Sequence, residues 1–344
     1  MGLTMEDDIK TGRAKRHVWP DKLRQGLACV ILVCGVCLGQ LGFCAWPSDQ
    51  PITLIVAYAP GGGTDMVARQ LAPVLEKALG GGARVIVSNK AGAGGEIGYL
   101  ALANAVPDGY TIGFINTPPV LTIPIERKTA WNMGSFDVLG NVVDDPGTFC
   151  VHRDSPIKTL ADLAARAKAN PAATTVGSTG VGSDDHLAML FFEKAAGVQM
   201  THVPFKGTAE VRSALIGGHL TVGAINVGEA LQYLKGGSPI RCLGQMTLTR
   251  IGMATDWPTF REQGFAFDMS SLRGVAAPKG LPLNIKTQWV QALERAIHDP
   301  MFKNAAEQGF APVRYLAPTS YDAELRAADA VFRQLWREIP WTDK

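Results

Sequence analysis

The sequence predicts an α/β protein made of two units in which short strands alternate with helices. Three observations predict it. Short apolar runs rich in β-branched residues recur, and each is followed by a stretch with helical apolar spacing. Glycine and proline clusters punctuate the junctions. The alternation then starts again from Thr148 onward. A chain of 344 residues, 47% hydrophobic and 19% charged, is long enough for two packed domains and too apolar to remain disordered. Its net charge of +2 gives no reason to expect a nucleic-acid partner.

The chain opens with Lys10, Arg13, Lys15, Arg16, Lys22 and Arg24, followed by the apolar stretch Leu27 to Leu38. A positive segment ahead of a short apolar one is the pattern of an export signal. Residues 1–45 are read as a leader cleaved near Ala45. An uncleaved anchor is the alternative, because counting on to Trp46 reaches about 20 residues, enough to span a bilayer. Phe43 is bulky where a small residue is wanted before cleavage at Ala45, and it also argues against lipid attachment at Cys44. Cys29, Cys34, Cys37 and Cys44 fall in the leader. Cys150 and Cys242 remain and are read as buried thiols, with a disulfide in an oxidising compartment as the alternative. No Cys/His spacing suggests a metal, and no cofactor is expected.

After the leader the elements follow in order. Ile52 to Tyr58 is a strand. From Thr64, Val67, Leu71, Val74, Leu75 and Ala78 form one apolar helical stripe, with Thr64 as N-cap, Asp65 in the first turn and Gly80 to Gly82 ending the helix. "RVIVSN" is a second strand, "KAGAGGEIG" opens a second helix, and "YTIGFIN" is a third strand. This β-α-β-α-β order implies a parallel sheet. In the second unit "TFCVHRD" is a strand. Thr159 and Asp162 make a capping box for the next helix, and "TTVGS" is a strand. Ser183 caps the helix "DDHLAMLFFEKAAG"; "MTHVPF", a short helix after "KG", and "LTVGAIN" complete the repeat.

Each unit thus holds a strand that ends in a small-residue loop feeding a helix: Pro60 to Asp65 in the first, Ser178 to Ser183 in the second. A helix N-terminus leaves amide donors without intrahelical partners and carries partial positive charge. Glycines let the backbone come close to a ligand. Such a place binds an anion without any Arg or Lys, and in open α/β sheets it lies beyond the carboxyl ends of the strands. Two loops facing each other across a cleft would hold a small anion between them.

Other readings of these residues are weaker. "GGGTD" lacks the lysine of a nucleotide-binding P-loop. "GAGGEIG" places Ile97 where a dinucleotide fingerprint needs its third glycine. "GSTGVGS" is not a nucleophile elbow. Ser183, Asp184 and His186 crowd one helical turn and cannot form a relay. Asp184 and Asp185 are read as favouring a helix N-terminus, and His202 and His219 as structural or exposed. Lys206 is either a contact to a ligand carboxylate or a solvated turn residue. An oxidoreductase or hydrolase that uses the glycine loops for a cofactor or anionic substrate is the alternative function. A regulator's effector half is a third reading, opposed by the leader and by the lack of a helix-turn-helix.

The stretch "WPSDQPITLIVAYAPGGGTDMVAR" resembles the start of the Bug, or TctC, family: periplasmic substrate-binding proteins of tripartite tricarboxylate transport systems. The matching features are Trp46-Pro47, the strand Ile52 to Tyr58, Pro60-Gly61-Gly62 and Asp65 to Arg69. "NKAGAGGEIG", "PDGYT", "SPIKTLADL", "GSTGVGSDDHLA", "HVPFKGTAE" and "APKGLP" continue it in order, over about residues 46 to 340. The sequence departs from the family pattern at Tyr58, often Phe, at "GSFDVLGNV" (134–142), and at Thr221, where an acid is common.

The resemblance implies a type II periplasmic-binding-protein fold: two Rossmann-like lobes joined by hinge crossings near residues 145 and 247, with a ligand cleft between. Lobe one is then residues 46–145 plus 248–344, and lobe two residues 146–247. It also implies a carboxylate ligand held by Tyr58, Pro60, Gly61, Gly62, Gly63, Thr64 and Asp65 from one lobe and Ser178, Thr179, Gly180, Gly182 and Ser183 from the other, with ordered water. Asn116 and Asn226, at strand ends, are additions to that set. The implied function is a monomeric periplasmic receptor that closes on a small organic acid or amino-acid-like carboxylate and delivers it to a tripartite tricarboxylate permease or a sensor. Di- and tricarboxylates, aromatic acids, amino acids and vitamin-like acids all suit two backbone-lined loops.

Overall fold

The computed structural model describes residues 46–341, so the leader expected over 1–45 and its cysteines lie outside the described residues. The first half follows the predicted alternation: β1 (Ile52–Val56), α1 (Gly63–Leu79), β2 (Val85–Asn89), α2 (Glu96–Ala103), β3 (Thr111–Asn116) and α3 (Pro119–Glu126). β1 pairs in parallel with β2 and β3. Val67, Leu71, Val74 and Leu75 of α1 are buried, as their spacing requires. Each such side chain contributes roughly 1.5–3 kcal/mol of burial. Thr64 is not the N-cap. Gly62 holds that position without a side-chain cap, because the helix already begins at Gly63; the Thr64 hydroxyl instead accepts from Asn116 Nδ2 at 2.8 Å.

β4 (Phe136–His152) is shared by both halves. The second half then runs α4 (Leu160–Ala169), β5 (Thr175–Ser178), α5 (Asp184–Ala196), β6 (Thr201–Pro204), α6 (Thr208–Ile216), β7 (Val222–Asn226), α7 (Val227–Lys235) and β8 (Ile240–Cys242). The predicted caps are in place: Thr159 and Asp162 form their box on α4, and Ser183 Oγ accepts the His186 N–H on α5. The chain returns through β9 (Ser270–Pro278), α8 (Leu283–His298), α9 (Pro300–Gln308), β10 (Val313–Leu316) and α10 (Pro318–Glu338).

The strands form one continuous sheet in the order β2-β1-β3-β9-β4-β7-β5-β6, with β8 and β10 also paired to β4. β4 changes partner at one peptide bond: Pro146 pairs with Ser270 of β9, and Gly147 with Asn226 of β7. Beyond residue 247, near which a crossing is expected, the chain keeps its contacts with the second half. Phe260, Phe265 and Phe267 still pack in the second half's core with Phe149 and Phe192, and the Met269 N–H donates to the Met246 carbonyl. The chain re-enters the first half only at Ser270.

Two further departures concern covalent and packing links. Cys150 and Cys242 sit opposite each other on β4 and β8 and form a disulfide rather than two free thiols. The last turn of α10 and Trp341 do not stay with the first half: Leu335 and Trp341 are buried in the second core.

Candidate functional site

The two loops singled out by sequence meet over a cavity of about 20 Å3. Tyr58, Gly62, Gly63, Thr64 and Asn116 line it from the first half, and Thr179 and Asn226 from the second. Asp184, Thr208, Glu229, Ser271 and Arg273 complete the lining. A water needs roughly 10–15 Å3 of such space, so the halves here are closed tightly. Ala59 N–H donates to the Lys206 carbonyl at 3.3 Å. Thr122 Oγ1 donates to the Gly182 carbonyl at 2.7 Å and Tyr233 Oη to the Gly61 carbonyl at 3.3 Å.

The first loop is shaped from below by Asp65. Its Oδ2 accepts the Gly61 N–H at 2.9 Å, and its carboxylate also takes Asn89 Nδ2 and Arg69, each at 2.9 Å. Burial pushes the Asp65 carboxyl up, but the bonds from Arg69, Gly61 and Asn89 outweigh it and hold it below its ordinary value. Asp65 therefore lies outside the cavity and fixes the loop above it. Pro60 and Gly61 are exposed on the loop's outer side. Gly61 has φ +83°, a left-handed conformation that favours glycine. A hydroxyl chain closes one wall: Tyr58 Oη lies 3.0 Å from Tyr99 Oη, which accepts the Asn116 N–H at 3.4 Å.

The second loop is tied the same way. Asp185 Oδ2 accepts from Thr179 N–H and Oγ1 at 3.1 and 2.8 Å. Ser183 Oγ donates to the Gly180 carbonyl at 2.8 Å, and His186 Nδ1 accepts the Gly182 N–H at 3.1 Å. His186 stacks on His202, centroids 3.9 Å apart. Burial, and then His202, push the His186 imidazole down to about 3, so it is neutral and free to accept. Ser178 Oγ lies 2.6 Å from His202 Nε2, but Ser178 is fully buried and lines neither this cavity nor the outer hollow. Of the second-loop residues expected at the ligand, only Thr179 reaches the inner cavity; Ser178, Gly180, Gly182 and Ser183 build the loop. Gly180 also lines an outer hollow of about 520 Å3, with Gly94, Arg127, Phe205 and Lys206.

The cavity floor was not legible in sequence. Arg273 on β9 is buried, its Nη2 2.8 Å from Asn226 Oδ1, 3.2 Å from Asp145 Oδ2 and 3.5 Å from Glu229 Oε1. Asn226 Nδ2 bonds Asp184 Oδ2 at 2.8 Å and the Asp145 carbonyl at 2.9 Å. Asp145 and Glu229 thus pair with one guanidinium, which the charges of Asp184 and Asp185 also reach. Burial raises the Asp145 carboxyl to about 7, against the pull of Arg273 and with the push of Glu229. Burial likewise raises Asp184 and Asp185, and the Asp184 charge adds to the rise at Asp185. The sequence signal available was weak: Glu229 stands three residues after Asn226, the spacing of a capping box, and Arg273 is one charge inside an apolar strand. The lining therefore combines backbone amides, hydroxyls and an arginine with the carboxylates of Asp184 and Glu229.

A sequence profile described as the tripartite tricarboxylate transporter family receptor, TctC, matches residues 67–333. The chain is 34% identical over 274 residues to the "UPF0065 protein in gbd 5'region" of Cupriavidus necator, covering 77% of this chain and 82% of that one. It is 29% identical over 295 residues to Protein BugT of Bordetella pertussis, covering 82% and 87%. Among solved structures, the periplasmic binding protein BugD superposes with a TM-score of 0.79 at 30% identity, covering 84% of this chain and 97% of that one. "R. palustris Rpa4515 with adipate" gives a TM-score of 0.79 at 25% identity, covering 85% and 97%. The α/β fold is therefore that of periplasmic binding proteins, and the role is solute binding, not catalysis. The chain belongs to the tripartite tricarboxylate transporter receptor (TctC) family.

Proposed function

We propose that this chain is a periplasmic receptor that takes a small carboxylic acid between its halves and delivers it to a tripartite tricarboxylate-type permease. One observation carries the reading: the N-termini of α1 and α5 point into one cavity from opposite halves, with Tyr58, Thr64, Asn116, Thr179 and Asn226 in its wall. Anions are favoured at both ends by helix dipoles and by amides that have no intrahelical partner. A relative solved with adipate supports a carboxylate as the class.

In this reading Tyr58, Gly62, Gly63, Thr64, Asn116, Thr179 and Asn226 touch the ligand. Pro60, Gly61, Asp65, Ser178, Gly180, Gly182 and Ser183 hold the loops in place. The halves turn about Pro146–Gly147 and Met269–Ser270, and a ligand that touches both favours the closed arrangement by its differential affinity. The receptor acts as a monomer, and the basic, apolar leader directs export.

A thermal-shift screen of purified protein against mono-, di- and tricarboxylates tests this. A ligand that binds only the native state adds about 2.7 kcal/mol at 100 times its dissociation constant. A raised melting temperature with one class of acid is the expected result. A well-folded protein that responds to no acid overturns the proposal.

A further inference from the structure

The anion position at the start of α1 already holds a carboxylate, and it belongs to the chain itself. Glu229 Oε1, from α7 of the second half, accepts the Gly63 N–H at 2.6 Å and the Thr208 hydroxyl at 3.1 Å, with Arg273 Nη2 at 3.5 Å. Its other oxygen accepts the Asn226 N–H at 3.2 Å. An amide, a hydroxyl and a guanidinium are the donors a bound carboxylate would use. Gly63 is shaped around this group: a Cβ there would run into Glu229 Oε1 and Arg273 Nη1. The cavity beside it still presents a buried acceptor with no partner among the described residues, Asn116 Oδ1.

We propose that Glu229 is an internal competitor for the ligand's carboxylate, which holds the unliganded halves together and sets the affinity of the receptor. The inference rests on the carboxylate-receptor reading above. Glu229 spans the halves, since Gly63 belongs to the first and Thr208 and Asn226 to the second. An incoming acid takes the Gly63 amide and Arg273 only when Glu229 leaves them. Glu229 then keeps its local bond to the Asn226 N–H, which is an ordinary capping-box contact within its own half. Binding affinity is lowered by the fraction of molecules in which Glu229 occupies the position. The unpaired Asn116 Oδ1 asks for a donor on the ligand next to that carboxylate, such as a hydroxyl.

The test compares wild type with Glu229→Ala, Glu229→Gln and Glu229→Asp by calorimetric titration of succinate, malate and adipate. Small-angle scattering of the ligand-free proteins and their melting curves accompany it. Aspartate keeps the charge but is one methylene short of Gly63, so it separates charge from reach. The expected result is at least tenfold tighter binding of an acid by Glu229→Ala and Glu229→Asp, a smaller gain for Glu229→Gln, and a larger radius of gyration without ligand. Binding by wild type with no gain in any variant overturns the inference and leaves the receptor reading intact. A loss in Glu229→Gln that Glu229→Asp restores also overturns it, and makes Glu229 a contact to a cationic ligand group. If no variant and no wild-type sample binds any of the acids, and scattering is unchanged, the inference falls together with the reading beneath it.

Discussion

Gly63 carries a steric constraint that its backbone alone would not impose. The space where its side chain would stand is filled by the Arg273 guanidinium and the Glu229 carboxylate. Gly63→Ala should therefore push the buried ion cluster apart and cost about 1–3 kcal/mol, as overpacking does. Urea denaturation reads this directly, and unchanged stability would mean that the cluster yields freely. Tyr58, two residues past β1, came from the family resemblance, whereas Asn116 and Asn226 could be placed beside the cavity from sequence because each ends a strand. Arg273 and Glu229 could not. One lies inside an apolar strand and the other on a helix, and they acquire a role only where β9, α7 and β4 converge. Asp65 was legible as important, but as a loop support rather than a contact, since its bonds run to Gly61, Asn89 and Arg69.

At the scale of elements, β4 shows where a sequence pattern stops being informative. Its second part, "TFCVH", reads as a strand. Its first part, from Phe136 to Gly147, carries Asp137, Gly140, Asn141, Asp144, Asp145 and Pro146, which break the apolar run. Two of these polar side chains reach distant partners: Asp137 takes the amides of Gly280 and Leu281, and Asn141 Nδ2 bonds the Arg314 carbonyl. The disulfide fixes the far end of the same strand to β8 across 92 residues of sequence. Replacing both Cys150 and Cys242 by alanine should lower stability by about 2–4 kcal/mol, typical of such a link. A melting curve insensitive to the double substitution and to reductant would contradict this. The α4 and α5 caps were legible because a hydroxyl ahead of a helix is local chemistry.

Over the whole molecule, the buried charges set a pH dependence of stability. Asp145 and Asp184 have carboxyls raised to about 7 and about 6 from an ordinary 3.8. The folded state thus holds protons that the unfolded chain releases, so their contribution is full below about pH 4 and is lost as pH rises toward 7. Asp137 works the other way. Burial raises its carboxyl, but Lys286, Gly280, Leu281 and Lys279 pull it down to about 2. Its contribution is present above about pH 4 and is lost as pH falls toward 2. Stability should peak in mildly acid solution, and Asp184→Asn should flatten the decline toward neutrality. A melting temperature that rises steadily from pH 4 to 7 would contradict the assignment. The pairing of two α/β halves was legible because each repeats the same strand-loop-helix grammar. The long excursion through Phe260 and the return of Trp341 to the second core were not, because aromatic residues in irregular segments have no period to read.

Whether an acid sits between the two loops is tested most directly at Gly62, with little risk to folding. Its backbone is extended, at φ −85° and ψ 169°, so alanine fits without strain. The added methyl would lie 3.7 Å from the Ala59 carbonyl and the Thr208 hydroxyl, in the cavity wall. The measurement is a calorimetric titration of wild type and Gly62→Ala with the acid that gives the largest thermal shift. One-to-one binding by wild type and at least tenfold weaker binding by Gly62→Ala, at the same ligand-free melting temperature, is the predicted result. Equal affinity in the two proteins would place the acid elsewhere than between the two loops.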